Sequence, residues 1–330
     1  MQGMCVIEFL ILPHDEWVKS KPKRKRNKLC IWTSILIVFC ISSCSLEFAK
    51  SVMDREHEDP PNRRDVCTFF CCAVFPFFAR LADPLGVAVP RGLRKLIALH
   101  TLGMVNIAPG KAILKEIKML TRLRKLAVTG INKKNCQEFC STIACLSSLE
   151  SLSVHSELVE DLRDCLDSLR TPPKNLQSLK LYGTLGKLPE WVAGLQNLVK
   201  LKLEHTELTE LDGTMQVLGK LPNLAILRLL MYSFKEEEDR HFTSRREAFP
   251  CLTALELCYP IGPVLFEEGT ATKLEILLCQ DAIAFSGLSS LLSLKEVVLD
   301  RWYDPRVEWV EDMRAQLSRN PNKPVVKFIN

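Results

Sequence analysis

The chain has 330 residues, 47% of them hydrophobic but only 7% aromatic, and a formal net charge of +5. Seven cations fall in Lys19–Lys28, which holds no acid, so the rest of the chain stands at −2 and a globally basic nucleic-acid-binding surface is excluded. The fourteen cysteines follow no metal-ligand spacing and seven lie in the first 72 residues, which is not the disulfide framework of a small secreted domain.

Residues 1–88 read as a region apart. The basic run leads directly into Leu29–Leu46, LCIWTSILIVFCISSCSL, eighteen residues without a charge. That length reaches the lower limit for a membrane-spanning helix, and insertion would keep the basic flank cytoplasmic and the rest of the chain on the far side. Three other readings stay open: a nuclear-localisation patch in the basic run, a signal-peptide core over Leu29–Ser45, or translated sequence foreign to the domain it is joined to. Asp54–Arg64, DREHEDPPNRR, reads as a flexible linker. Val66–Ala79 is apolar but too short to span a membrane and is broken by Pro76; it is expected to pack on the end of the following domain or to stay poorly ordered.

From Val89 to about residue 303 one phrase recurs. It is clearest in Leu195–Leu198–Leu201–Leu203 and Leu221–Leu224–Leu227–Leu229, the pattern L-x-x-L-x-x-L-x-L spoken twice. Further copies are Leu123–Leu126–Val128, Leu149–Leu152–Val154, Leu176–Leu179–Leu181, Leu252–Leu255–Leu257, Leu274–Leu277 with Cys279 in the last slot, and Leu294–Val297–Leu299. A weaker first copy is Leu99–Leu102–Val105. Successive middle positions lie between 20 residues apart (Leu277 to Val297) and 28 (Leu227 to Leu255), the spacing of leucine-rich repeats. Such a unit is too small to bury its own apolar face, so about nine of them must stack. The expected fold is an α/β solenoid, a horseshoe with parallel strands on the concave face and helical or irregular segments on the convex one.

Between the strands, 135–144 and 158–169 have helical apolar spacing, whereas 183–189 reads as irregular. Cys136, Cys140 and Cys145 fall in the first of these and read mainly as small apolar residues, with redox or metal chemistry as the minor alternative. Ser233–Ala248, SFKEEEDRHFTSRREA, carries charge runs of both signs and reads as a solvated loop inserted between repeats, with a binding loop as the minor alternative. Residues 304–330 form an expected cap. Asp304-Pro305 starts a helix, Trp309, Met313 and Leu317 share one face, Asn320-Pro321 ends it, and Val325–Ile329 adds a last strand.

No catalytic constellation can be assembled. The histidines are dispersed, with His155 and His205 read as solvated positions just after strand cores. The nearest approach to a phosphate loop, Gly110-Lys111, has Val105 and Ala112 where a glycine and a hydroxyl are required. No cofactor, metal or enzymatic activity is expected. What remains is the outward row between the strand leucines: Ala127, Ser153, Lys180, Lys202, Arg228, Glu256, Leu278 and Val298. Lys180, Lys202 and Arg228 fall on successive units and should form a basic stripe, with Tyr182, Glu204, Leu230, Tyr232 and Tyr259 beside it. The eight polar and aromatic positions Lys180, Tyr182, Lys202, Glu204, Arg228, Tyr232, Glu256 and Tyr259 are the candidate partner-binding surface; a merely solvated outer face is the alternative.

LPEWVAGLQNLVKLKL at Leu188–Leu203, LPNLAILRL at Leu221–Leu229, AFPCLTALEL at Ala248–Leu257, FEEGTATKLEIL at Phe266–Leu277, LTRLRKLAVTGI at Leu120–Ile131 and NPNKPVVKF at Asn320–Phe328 carry a family resemblance. Val89–Asn330 resembles the repeat region of plant nucleotide-binding leucine-rich-repeat disease-resistance receptors, of the grass type with an N-terminal coiled coil. The resemblance implies a non-enzymatic, cytoplasmic protein-interaction module whose partner is a pathogen effector, a host target or a nucleotide-binding switch domain that it restrains. Such receptors carry the coiled coil and the switch ahead of their repeats, and neither is found in this sequence. The expectation is therefore a truncated receptor, a decoy or part of a larger gene. A membrane-anchored repeat protein displaying its concave face outside the cytosol is the competing expectation. It sits poorly with the lack of any N-x-[ST] acceptor.

Overall fold

The computed structural model describes residues 92–156, 162–236, 241–258, 261–280, 283–300 and 308–329. All of them belong to the second of the two units into which the chain divides, Met1–Cys67 and Thr68–Asn330. The basic run, Leu29–Leu46, the linker, Val66–Ala79, Asp304-Pro305 and Tyr259 lie outside the described residues.

The strands in chain order are β1 (Thr101–Asn106), β2 (Lys125–Thr129), β3 (Ser151–His155), β4 (Ser178–Tyr182), β5 (Lys200–Glu204), β6 (Ile226–Leu229), β7 (Phe242–Ser244), β8 (Ala254–Leu257), β9 (Val264–Phe266), β10 (Ile276–Cys279), β11 (Phe285–Ser286), β12 (Glu296–Asp300) and β13 (Val325–Ile329). Ten of them form one parallel sheet in the order β1-β2-β3-β4-β5-β6-β8-β10-β12-β13. The register puts leucine against leucine: Leu126 pairs Leu152, then Leu179, Leu201, Leu227, Leu255, Leu277 and Val297. From β2 to β12 the two inward residues of each strand are at most 3% exposed, Cys279 included. Alternation does the rest, since residues between two inward ones must face the other way. The solenoid expected from the repeated phrase is therefore the fold observed.

The weak first copy has a structural cause. Leu102 pairs Leu126 and Val105 pairs Val128, with a register shift between Leu102 and Met104. The extra residue is Gly103, and the bulge there accommodates a three-residue spacing where the other copies have two.

Neighbouring coils are also stitched outside the strands. The residue just before the leucine that stands three ahead of the middle strand leucine reaches back one unit: Asn175, Asn197 and Asn223 donate side-chain amides to the carbonyls of Ser147 (3.1 Å), Lys174 (2.9 Å) and Gln196 (2.8 Å). On the back of the sheet run α1 (Lys111–Lys118), α2 (Cys136–Cys145) and α3 (Leu211–Gly219). α2 matches the helix expected at 135–144, and 183–189 is irregular as expected. The described part of the second expected helix, 162–169, is a series of turns. Asp164 takes a left-handed φ of 60° there, and Leu162, Cys165, Leu166 and Leu169 are buried without helical hydrogen bonding. Apolar spacing fixed which residues point inward but not the backbone that carries them.

The insertion Ser233–Ala248 is a second correction. Its charged centre, 237–240, lies outside the described residues, but Phe234 is 0% and Phe242 2% exposed. Phe242–Ser244 forms β7, which pairs β9, which pairs β11, a small parallel sheet on the back. Phe266 and Phe285 stack across it at 6.4 Å. Phe234 and Phe242 anchor the described flanks of this segment in the core.

At the C-terminal side, α4 (Glu308–Arg319) buries Val310, Met313 and Leu317, with Trp309 half-buried. Asn320 closes the joint by donating to the carbonyls of Leu288 (2.9 Å) and Leu291 (3.0 Å) while itself 1% exposed. β13 then pairs β12.

Because Leu227 is fully buried midway along the inward row, Leu227→Ala should destabilise the domain by about 2–5 kcal/mol. Urea denaturation followed by circular dichroism checks this, and a loss under about 1 kcal/mol would contradict the stacking account.

Candidate functional site

The outward row lies in register as the sequence predicts: Ser153 beside Lys180, Lys180 beside Lys202, Lys202 beside Arg228, Arg228 beside Glu256. The three cations are thus brought together on successive strands. They are not a bare basic stripe, however. Lys202 Nζ lies 2.7 Å from Glu204 Oε2 on its own strand, and Arg228 Nε lies 3.1 Å from Glu256 Oε2 on the next. The sequence reading placed the five charges correctly but did not anticipate their mutual pairing, which depends on side-chain reach across the strand spacing.

Glu256 departs furthest from expectation. It is only 9% exposed although it sits on the outward row. Besides Arg228, its carboxylate accepts a hydrogen bond from Gln280 Nε2 at 2.5 Å. A carboxylate so covered needs such partners, because desolvation without them is costly. Arg228 and Gln280 thus hold it in place at this end of the face. Of the remaining row members, Leu278 is half-buried and Val298 buried.

A feature the sequence did not reveal lies along the strand ends. His155 stacks on Tyr182 with centroids 5.5 Å apart and ring planes 20° from parallel. Tyr182 meets His205 edge-on at 5.0 Å, and His205 meets Tyr232 at 5.5 Å. Four rings from consecutive units therefore form one continuous row beside the charged one. His155 and His205 are half-buried members of this row in contact with neighbouring rings, not isolated solvated histidines. His155 Nε2 is further held by Ser153 Oγ at 2.9 Å. Burial, and then the Glu204 carboxylate, push the Tyr182 phenol above its ordinary range.

The backbone is bent to make the row. Immediately after Tyr182, Gly183 has φ 117°, and a Cβ there would sit 2.4 Å from Ser156 Cβ, so only glycine lets the two turns approach. His205 and Tyr232 take left-handed φ values of 54° and 52°, uncommon for histidine and more so for a bulky ring. Both are clamped. His205 donates its backbone N–H to Met231 O (2.8 Å), Ser233 N–H closes a turn onto Leu230 O (3.0 Å), and buried Thr206 Oγ1 donates to Ser233 O (2.8 Å). Ser233 Oγ adds a bond to Leu203 O at 3.0 Å and another to Leu230 O. Tyr232 and its neighbour Met231 end up 47% and 51% exposed.

On the back of the domain, Cys140 is buried and its sulfur lies 3.4 Å from the carbonyl of Cys165. Burial first, then Cys136 and Asp167, push its thiol up to about 12. Asp167 is itself raised by burial and by Asp164 and Glu190. Among the described residues no group of three His, Cys, Asp or Glu side chains is placed to hold a metal ion. No described helix is long and apolar enough to cross a membrane.

Two measurements follow from this geometry. Arg228→Ala leaves the covered Glu256 carboxylate short of a partner and should cost roughly 1–3 kcal/mol. Glu256→Gln in the same chain should recover part of that loss, read as a coupling in a double-mutant cycle by urea denaturation. At pH 8 the native protein should react with iodoacetamide at exposed Cys145 and not at Cys140. A thiol near 12 is about one ten-thousandth thiolate at that pH, and mass spectrometry of tryptic peptides reads the difference.

The family profile described as "Leucine-rich repeat region" matches residues 80–326. The rice (Oryza sativa subsp. japonica) disease resistance protein RGA4 is 34% identical over 189 residues, 54% of this chain and 17% of the relative. Rice disease resistance protein Pik-2 is 27% identical over 236 residues, 63% of this chain and 23% of that protein. The Arabidopsis thaliana disease resistance protein RPM1 is 22% identical over 222 residues, covering 65% of this chain and 23% of its own length. The chain thus spans less than a quarter of the length of each of these relatives. Among solved structures, an internalin of Listeria monocytogenes aligns over 74% of this chain and 80% of its own, with 16% identity and a TM-score of 0.38. The leucine-rich repeat domain of the type III effector XopL aligns over 93% and 97%, with 15% identity and a TM-score of 0.37. Repeats stacked in one parallel sheet from β1 to β13, and a family match that begins before the first and ends within the last, say the same thing: the chain belongs to the leucine-rich repeat region family, and its repeats are homologous to those of rice disease-resistance proteins.

Proposed function

We propose that this protein is a non-enzymatic recognition module of plant defence, and that it captures a protein partner on the strand face of β3 to β8. The observation that carries the reading is the registered face itself. Lys180, Tyr182, Lys202, Glu204 and Arg228 stand on adjacent strands of a sheet whose other side is locked in the core. The backbone of such a surface is already ordered before binding, and tyrosine and arginine are the residues enriched where protein interfaces are strongest, with the lysines adding charge that selects the partner. Homology to disease-resistance proteins directs the reading to defence. The partner is then a pathogen effector, a host target, or a nucleotide-binding switch domain supplied by a longer protein or a second chain.

Affinity capture from infected cereal leaf extract, with the full chain as bait, tests this. Lys180→Glu combined with Lys202→Glu reverses the charge of two positions that are exposed or half-buried. A specific partner should be recovered at least about tenfold less by that variant than by the wild type. Identical protein sets from both baits would overturn the reading.

A further inference from the structure

We infer that the ring row His155, Tyr182, His205 and Tyr232 is a docking ridge for an acidic polypeptide segment carrying an aromatic or large aliphatic side chain, laid across the strands along the solenoid axis. The inference rests on the strand face being a recognition surface and names the chemistry of what it takes.

The first argument is preorganisation. Each ring already touches the next at 5.0 to 5.5 Å, and the two that leave the strands are held in left-handed turns by buried Thr206 and Ser233. Backbone strain of this kind persists only where the surroundings impose it, and it gathers at sites that bind. Little rotamer freedom is left to lose when a partner arrives.

Length is the second. The row crosses four units in three ring steps, a distance an extended peptide covers in about five residues. Because the row runs perpendicular to the strands, the segment cannot pair as an added strand and must be read through its side chains.

The third argument is charge. Strands β4, β5, β6 and β8 present Lys180, Lys200, Lys202 and Arg228 against Glu204 and Glu256, an excess of positive charge beside the rings. An incoming carboxylate is therefore favoured, and it can compete with Glu204 for Lys202, which is partly exposed in its present pair. At the end of the row, exposed Tyr232 and Met231 offer an apolar anchor point. Nucleic acid is the other polymer that uses rings with cations. It fits less well, because the rings spend their contacts on each other and two carboxylates stand on the same face.

The test pans a phage-displayed random dodecamer library over the full chain and measures the enriched peptides by fluorescence anisotropy. Enrichment of Asp and Glu together with Trp, Tyr, Phe or Leu is expected. Binding should weaken by about tenfold or more in Tyr232→Asn and His205→Asn, replacements that tolerate the left-handed backbone. Tyr232→Phe, which keeps the ring, should retain it. Basic or compositionally random enrichment, no enrichment, unchanged binding by the Asn variants, or full displacement by an oligo(dT) fifteen-mer would each overturn the inference. If partner capture from leaf extract falls with Lys180→Glu and Lys202→Glu but not with the Asn variants, the recognition face stands and the ridge falls. If neither set changes capture, both fall.

Discussion

The leucine–leucine register between adjacent strands is the constraint on which the rest depends. One unit has two inward side chains in its strand and one or two more in the turn before it, and alone it would leave most of that area in water. Burying a leucine contributes about 1.5–3 kcal/mol, so each unit gains only by lying in phase with a neighbour. A slip of one residue would turn the inward pair out and the charged residues in. The row from Leu126 to Val297 is unbroken for this reason, and the bulge at Gly103 shows the same rule from the other side: the chain absorbs an extra residue rather than lose phase.

A fixed inward row also fixes the outward one. Lys180, Lys202, Arg228 and Glu256 line up because Leu179, Leu201, Leu227 and Leu255 do. Outward residues on such a sheet need no packing of their own to be positioned, which leaves their chemistry free to vary. Glu256 marks the limit of that freedom. Where a carboxylate on the outward row becomes covered, Arg228 and Gln280 are drawn into satisfying it, and the cationic reach of Arg228 is partly spent inside the protein.

What could be read from the sequence follows from periodicity. The strands, their order, the outward positions and α2 all derive from spacings of two, three or four residues, and these were legible. Features set by contacts between units at other offsets were not. β7, β9 and β11 are strands of two or three residues with no alternation long enough to detect, and the charges beside Phe242 hid a core aromatic. The turns at 162–169 bury apolar residues at helical spacing because Asp164 is left-handed and Pro172-Pro173 follow, so periodicity alone misled. The pairing of Lys202 with Glu204 could have been suspected from their two-residue spacing on one face, but the Arg228–Glu256 pair needed the register first.

The ring row is the most instructive case. Tyr182 and Tyr232 stood out as aromatics near the strand face, whereas His155 and His205 read as solvated, yet all four belong together. Strand alternation puts His155 opposite Tyr182, but it puts Glu204, not His205, opposite Tyr182 on the next strand. His205 joins the row only because its backbone turns left-handed one residue beyond the strand, and Tyr232 joins by the same device after β6. The ring row is thus completed where the repeat departs from its regular form. The strands supply a rigid frame, and buried Thr206 and Ser233 beyond β5 and β6 hold the left-handed turns that bring His205 and Tyr232 into the row. A small hydroxyl directly after a histidine or aromatic just beyond a repeat strand, as in His205-Thr206 and Tyr232-Ser233, is therefore the local signal that could have exposed the row.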